Sequence, residues 1–149
     1  MPVALLLCIV LVVLSTLIHY ELLRGMSAWI SRVSWPARSR VIGVILGAFL
    51  AHAIEILLYA LAIHFVGRSL GLGSLGSSDS YSFTTALYFS AETYTSLGYG
   101  DVLPSGSLRL ISGVEALNGL LLIGWTASFT YLAMERFWRD ASDGPVEGG

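Results

Sequence analysis

Seven consecutive residues, Thr95-Ser96-Leu97-Gly98-Tyr99-Gly100-Asp101, set two glycines around a tyrosine, with hydroxyls ahead and a carboxylate behind. Gly98 and Gly100 can adopt positive φ angles that a Cβ would resist. Alternating such residues with ordinary ones turns successive backbone carbonyls to one side of an extended strand. A ring of such strands can replace the water shell of a bare cation. The chemistry on offer is coordination by backbone oxygen.

Other groups capable of chemistry are few. His52 and Glu55 stand one helical turn apart, so their side chains share a face and can hydrogen-bond. A metal site needs more ligands than these two, and His64 lies three turns further on. The pair is expected to act as a polar clasp against a neighbouring helix. His19 and Glu21 read as interfacial anchors. Cys8, the single cysteine, can form no intrachain disulfide and reads as a small packing residue. Glu115 is an acid inside an apolar run, where insertion costs about 2.5–3.5 kcal/mol unless the group faces protein or water.

The elements that must carry these groups are membrane helices. Of 149 residues, 55% are hydrophobic and 12% charged, with a mean hydropathy of +0.75. Soluble domains carry about 25% charged residues. Apolar segments at about 3–23, 41–66 and 108–132 match the roughly 20 residues needed to cross a bilayer. The first is expected to be retained rather than cleaved as a signal, because it lacks a basic start and a small-residue cleavage site. Ser82–Thr95 is too short and too polar to cross. It reads as a short helix capped by Ser80 or Ser82, with Phe83, Leu87 and Tyr94 on one face. Its C-terminal carbonyls would carry partial negative charge toward the membrane interior.

Met26, Trp29, Ile30 and Val33 recur at helical spacing before Pro36, which fits a short amphipathic helix lying in the interface. Gly67–Tyr81 is rich in glycine and serine and reads as a flexible loop. All eight basic residues are arginines. Arg24, Arg32, Arg38 and Arg40 follow the first span and Arg136 and Arg139 follow the last, whereas only Arg68 and Arg109 lie on the remaining loop. The positive-inside rule therefore places the first connection and the C-terminus in the cytoplasm. The N-terminus and the Gly-Tyr-Gly loop then lie outside.

In this setting the seven-residue run resembles the selectivity filter of potassium channels, whose usual form is T-V-G-Y-G-D. The resemblance covers about residues 41–132 and includes the short helix, the flanking spans and Pro104. It implies that Ser96, Leu97, Gly98, Tyr99 and Gly100 form the ion-binding filter. The family usually has threonine at Ser96 and valine at Leu97. Serine keeps the hydroxyl but loses a methyl, leaving the innermost site less constrained. Tyr88 and Phe89 fall where the family places aromatics around the filter tyrosine. Glu92 falls where some bacterial members carry a glutamate that shares a proton with the filter aspartate, here Asp101; such a pair would respond to pH. The alternative is a carboxylate bonded to backbone N–H groups behind the filter. Gly119 aligns with the bending glycine of inner helices, so Gly119 or Gly124 is either a hinge or a close-packing position. Glu115 would either concentrate cations near a cavity or bond to the back of the pore helix. Residues 26–35 resemble the interfacial helix ahead of the first pore-lining span in inward-rectifier channels.

The expectation is an all-α membrane protein in four parts. An N-terminal transmembrane helix (1–25) is followed by a cytoplasmic interfacial segment (26–40) and a pore domain (41–134). A short cytoplasmic tail (135–149) follows. Within the pore domain the outer helix is 41–66, the re-entrant pore helix 82–95, the filter 96–101 and the inner helix 108–134. One filter strand per chain implies a homotetramer. The implied function is passive, leak-type potassium transport across the cell membrane, not enzymatic catalysis. Potassium would be the permeant ion and no cofactor is expected. Membrane lipid and further copies of the chain are the expected partners, with no nucleic acid and no small-molecule substrate.

Overall fold

The computed structural model describes residues 2–76 and 81–142. Ser80, one of the two candidate caps, and the end of the tail (143–149) lie outside the described residues. Four helices follow in order: α1 (Pro2–Ile30), α2 (Ala37–Leu70), α3 (Phe83–Tyr94) and α4 (Leu108–Ser142). Pro2–Ile30, Arg38–Gly67 and Leu108–Arg139 are long and apolar enough to cross a membrane. Their 29, 30 and 32 residues correspond to about 44–48 Å at 1.5 Å per residue. That exceeds a hydrocarbon core of about 30 Å, so the helix ends stand in or beyond the interfaces. The arrangement is an all-helical multi-pass membrane protein.

The predicted interfacial helix does not form as a separate element. Met26–Ile30 instead continues α1, and only residues 31–36 make a turn before Pro36 caps α2. The reason lies on α2. Gly43 and Gly47 are four residues apart, and such small residues let helices approach closely. Met26 fills the space over Gly47, and a Cβ on Gly43 would come within 2.9 Å of the Trp29 ring. Ile30, Val44 and Phe137 then close this end of the bundle, with the Arg40 guanidinium 4.6 Å over the Phe137 ring.

In the described part of the Gly/Ser-rich segment, residues 72–76 are paired with residues 103–107 rather than loose. Leu75 bridges Pro104, Gly76 N–H donates to Leu103 O at 2.9 Å, and Ser105 N–H donates to Ser74 O at 2.9 Å. Ser107 N–H donates to Leu72 O at 2.7 Å. Glycine makes this pairing fit, because a Cβ on Gly106 would stand 2.6 Å from Leu72 O. Tyr81 donates its hydroxyl to Ile63 O at 2.8 Å, and burial pushes its phenol above the usual range.

Short α3 sits between α2 and α4. Ser82 caps it by accepting from Thr85 N–H at 3.1 Å. Its buried residues are Ala86, Phe89, Ser90, Glu92 and Tyr94. The inward face therefore runs through Ala86, Ser90 and Tyr94 rather than through Phe83 and Leu87. Phe89 joins the core with Tyr59, Ile63, Val66 and Ile111. Within the chain it is a packing residue between helices.

Gly119 marks the closest approach of α4 to α3, since a Cβ there would overlap the Tyr94 carbonyl oxygen. Gly124 faces open space. Gly119→Ala is expected to destabilise the chain by about 1–3 kcal/mol through overpacking against backbone. Gly124→Ala is expected to be neutral or stabilising by up to about 1 kcal/mol through helix propensity. Thermal unfolding of the two variants in detergent compares them directly.

Candidate ion-conduction site

The Thr95–Asp101 segment begins where α3 ends, and it folds back over the helix terminus. Ser96 N–H donates to Thr93 O at 3.0 Å. The next three amides converge on one residue. Leu97 N–H and Gly98 N–H donate to the Glu92 carbonyl at 2.8 and 3.3 Å, and Tyr99 N–H donates to Glu92 Oε2 at 3.1 Å. Three successive N–H groups therefore point to the same side, back toward α3.

The backbone angles give the reason. Ser96, Gly98 and Gly100 have φ of 57°, 56° and 80°, while Leu97 and Tyr99 between them are not in the positive-φ set. Alternation of left-handed and ordinary residues puts amides on one edge and carbonyls on the other. Ser96 is the sole non-glycine with positive φ among the described residues. Holding an L-residue there costs about 1–2 kcal/mol. The sequence pointed to Gly98 and Gly100 but not to Ser96, which carries no glycine signal.

The carboxylates take separate partners. Glu92 is buried and holds the Tyr99 amide; Asp101 accepts from the Tyr88 hydroxyl at 3.2 Å to each oxygen. Of the two readings of Glu92, the structure shows the bond to a backbone N–H, made by Oε2, and it bonds Asp101 to Tyr88. Tyr88 does brace the segment, through its hydroxyl rather than by ring packing. Leu97 and Tyr99 are 58% and 70% exposed in the single chain.

Beneath the segment, buried polar groups from all four helices meet. Glu55 is fully buried on α2. His19 Nδ1 of α1 lies 2.7 Å from Glu55 Oε1, and His52 Nδ1 lies 3.2 Å from Oε2. The Tyr94 hydroxyl donates to the same Oε2 and stands 2.9 Å from His52 Nδ1. His19 Nε2 meets Thr126 Oγ1 of α4 at 3.1 Å. His19 is thus a fully buried network member and not an interfacial anchor. Only Glu21 of that pair stays outside, 2.9 Å from Arg24 in an exposed ion pair. The clasp predicted at His52 and Glu55 engages α1 and α3 together.

A second polar layer lies alongside. Ser90 Oγ stands 2.5 Å from Glu115 Oε1 and 2.8 Å from Ile56 O. Glu115 therefore bonds to the back of α3, which decides between its two predicted roles. Asn118 Nδ2 donates to Ser15 Oγ at 2.8 Å, adding a further link from α4 to α1. A hydrogen-bonding side chain in an apolar layer needs such partners, and α1 supplies several of them.

A helix-end segment with three amides held to one side, carried by helices long and apolar enough to cross a membrane, suits a channel-type membrane protein. Residues 51–136 match the model of a family described as ion channel, and the chain belongs to that family. Over 105 residues it is 34% identical to the inward rectifier potassium channel Kirbac3.1 of Paramagnetospirillum magnetotacticum, covering 70% of this chain. The chain spans about a third of that relative's length, 32%. No solved structure matches.

Glu92→Ala leaves the Tyr99 amide without its acceptor, a loss of about 1–3 kcal/mol where the group is shielded from water. Ion flux through reconstituted vesicles is expected to fall sharply in Glu92→Ala and to stay near wild type in Glu92→Gln, which keeps an acceptor oxygen. Tyr94→Phe removes a hydroxyl that donates to a buried carboxylate. It is expected to lower stability by about 1.5–3 kcal/mol, read by thermal or denaturant unfolding.

Proposed function

We propose that this chain is a subunit of a potassium-selective, leak-type channel in the cell membrane, and that four copies surround one axis. The observation that carries this reading is the convergence of the Leu97, Gly98 and Tyr99 amides on Glu92. It commits one edge of the strand to the protein and leaves the carbonyl edge for ions. Ser96, Leu97, Gly98, Tyr99 and Gly100 form the filter, with potassium as permeant ion and no cofactor. The named relative is a potassium channel, which supports the choice of ion.

Four copies follow from one filter strand per chain. The exposed Leu97 and Tyr99, and the exposed Leu117, Leu120 and Leu121 of α4, give apolar surface to neighbouring chains and lipid. Arginine placement supports a filter on the outer side, with the α1–α2 turn and the C-terminus in the cytoplasm. Ions pass down their electrochemical gradient, drawn by the α3 C-terminus and stripped of water by the carbonyls.

A weakly selective cation channel is the second reading, and Ser96 favours it. Serine in a left-handed conformation, without the usual threonine methyl, holds the innermost site less tightly. Potassium or rubidium uptake into proteoliposomes is expected, with a reversal potential in mixed potassium and sodium that follows potassium. A reversal potential indifferent to the choice of ion would support the second reading. Gly98→Ala adds a Cβ at φ 56°, about 1–2 kcal/mol of strain in every copy, and is expected to abolish uptake. Uptake unchanged by Gly98→Ala would reject this segment as the filter in both readings, and no uptake by the wild-type chain would leave a non-conducting membrane subunit.

A further inference from the structure

We propose that His19, His52 and Glu55 form a binding site for a divalent transition-metal ion of the zinc type. Their ligand atoms all lie within 4.8 Å of one another. The sequence alone offered only His52 and Glu55; folding brings His19 from α1 to complete a set of three. The Tyr94 hydroxyl, 2.9 Å from His52 Nδ1, adds a fourth candidate ligand atom at the same point.

The donor set selects the class of ion. Two imidazoles with carboxylate and phenol oxygens suit zinc, cobalt or nickel, whereas calcium takes six to eight oxygens and magnesium holds waters in an octahedron. Ligand atoms around a tetrahedral zinc stand about 3.3 Å apart, as bonds of about 2.0–2.1 Å require. The three ligand atoms, now within 4.8 Å of one another, reach that spacing by side-chain movement of up to about 1.5 Å at the widest pair.

Binding costs the neutral imidazoles no proton. Each ring moves its hydrogen from Nδ1 to Nε2 and presents the freed lone pair to the metal. For His19 the receiving group is already in place, because Thr126 Oγ1 lies 3.1 Å from Nε2. Such an outer bond orients a ligating imidazole and raises its basicity. The metal charge also compensates a buried carboxylate, beyond what its hydrogen bonds with His19, His52 and Tyr94 supply. Entry is past His52, whose side chain is 19% exposed while those of His19 and Glu55 are closed. An ion held here would join α1 to α2 and to Tyr94, the residue directly before Thr95. Occupancy would therefore stiffen the base of the candidate filter.

The test uses the full chain in detergent, stripped with a chelator and titrated with cobalt and then zinc chloride. One cobalt ion per chain is expected, with visible absorption bands of tetrahedral form that zinc displaces, and zinc is expected to raise the unfolding temperature. His19→Gln and His52→Gln should each weaken binding by about 100-fold or more, and Thr126→Val by about 10- to 100-fold. His64→Gln, outside the cluster, should leave it unchanged. X-ray absorption at the zinc edge of the wild-type chain should show two imidazole ligands, a readout that survives even if a histidine variant fails to fold. Absence of cobalt bands, fewer than two imidazoles, or bands persisting in both His19→Gln and His52→Gln would overturn the assignment. These readouts measure occupancy without flux, so their result is separate from potassium conduction.

Discussion

The structure depends most on how Glu92 holds the strand that follows its own helix. Its carbonyl takes two successive amides and its carboxylate takes the third. A backbone whose amides are all committed to one side has its carbonyls on the other. The same constraint explains the left-handed angles at Ser96, Gly98 and Gly100, since only alternation allows consecutive N–H groups to face one acceptor. It explains the burial of Glu92 too, because water at that carboxylate would compete for the Tyr99 amide. Asp101 and Tyr88 then pin the far end of the segment.

A strand held this way needs a rigid helix beneath it, and the bundle supplies one. α3 is gripped at Ser90 by Glu115, at Tyr94 by Glu55 and His52, and along its backbone by Gly119 of α4. α1 shares a core with α3 through Cys8, Leu11, Ala86 and Phe89. It also acts through His19 on Glu55 and Thr126, and through Ser15 on Asn118. In an apolar medium these bonds have no water to compete with, so the first helix becomes part of the scaffold rather than a loose anchor. At the opposite end, α1 is held by shape, with Met26 and Trp29 filling the space over Gly47 and Gly43.

Much of this was legible in the sequence because the signals are local. Three long apolar runs, a serine-capped short helix and a Gly-Tyr-Gly strand each follow from composition and backbone chemistry within a few residues. Where the reading missed, the deciding contacts were remote in sequence. His19 looked like an anchor because its partner is Glu55, 36 residues away. Phe89 looked like a filter aromatic, and the core it forms with Tyr59 and Ile111 was not visible in the sequence. Gly67–Tyr81 looked loose because glycine and serine favour turns, yet those same glycines let residues 72–76 approach residues 103–107 closely enough to pair. Met26–Ile30 looked interfacial until Gly43 and Gly47 gave it a place on α2.

The sequence by itself determined the kind of protein this is. Hydropathy sets which segments enter the membrane, and glycine at alternate positions permits a strand with one carbonyl edge. Both depend on the properties of the residues concerned and need no partner. Only the tertiary structure decided what the buried polar side chains do. Glu92 and Asp101 could have shared a proton, and Glu115 could have faced a cavity. Their partners were chosen by which amides, hydroxyls and imidazoles the packed helices brought within hydrogen-bonding reach.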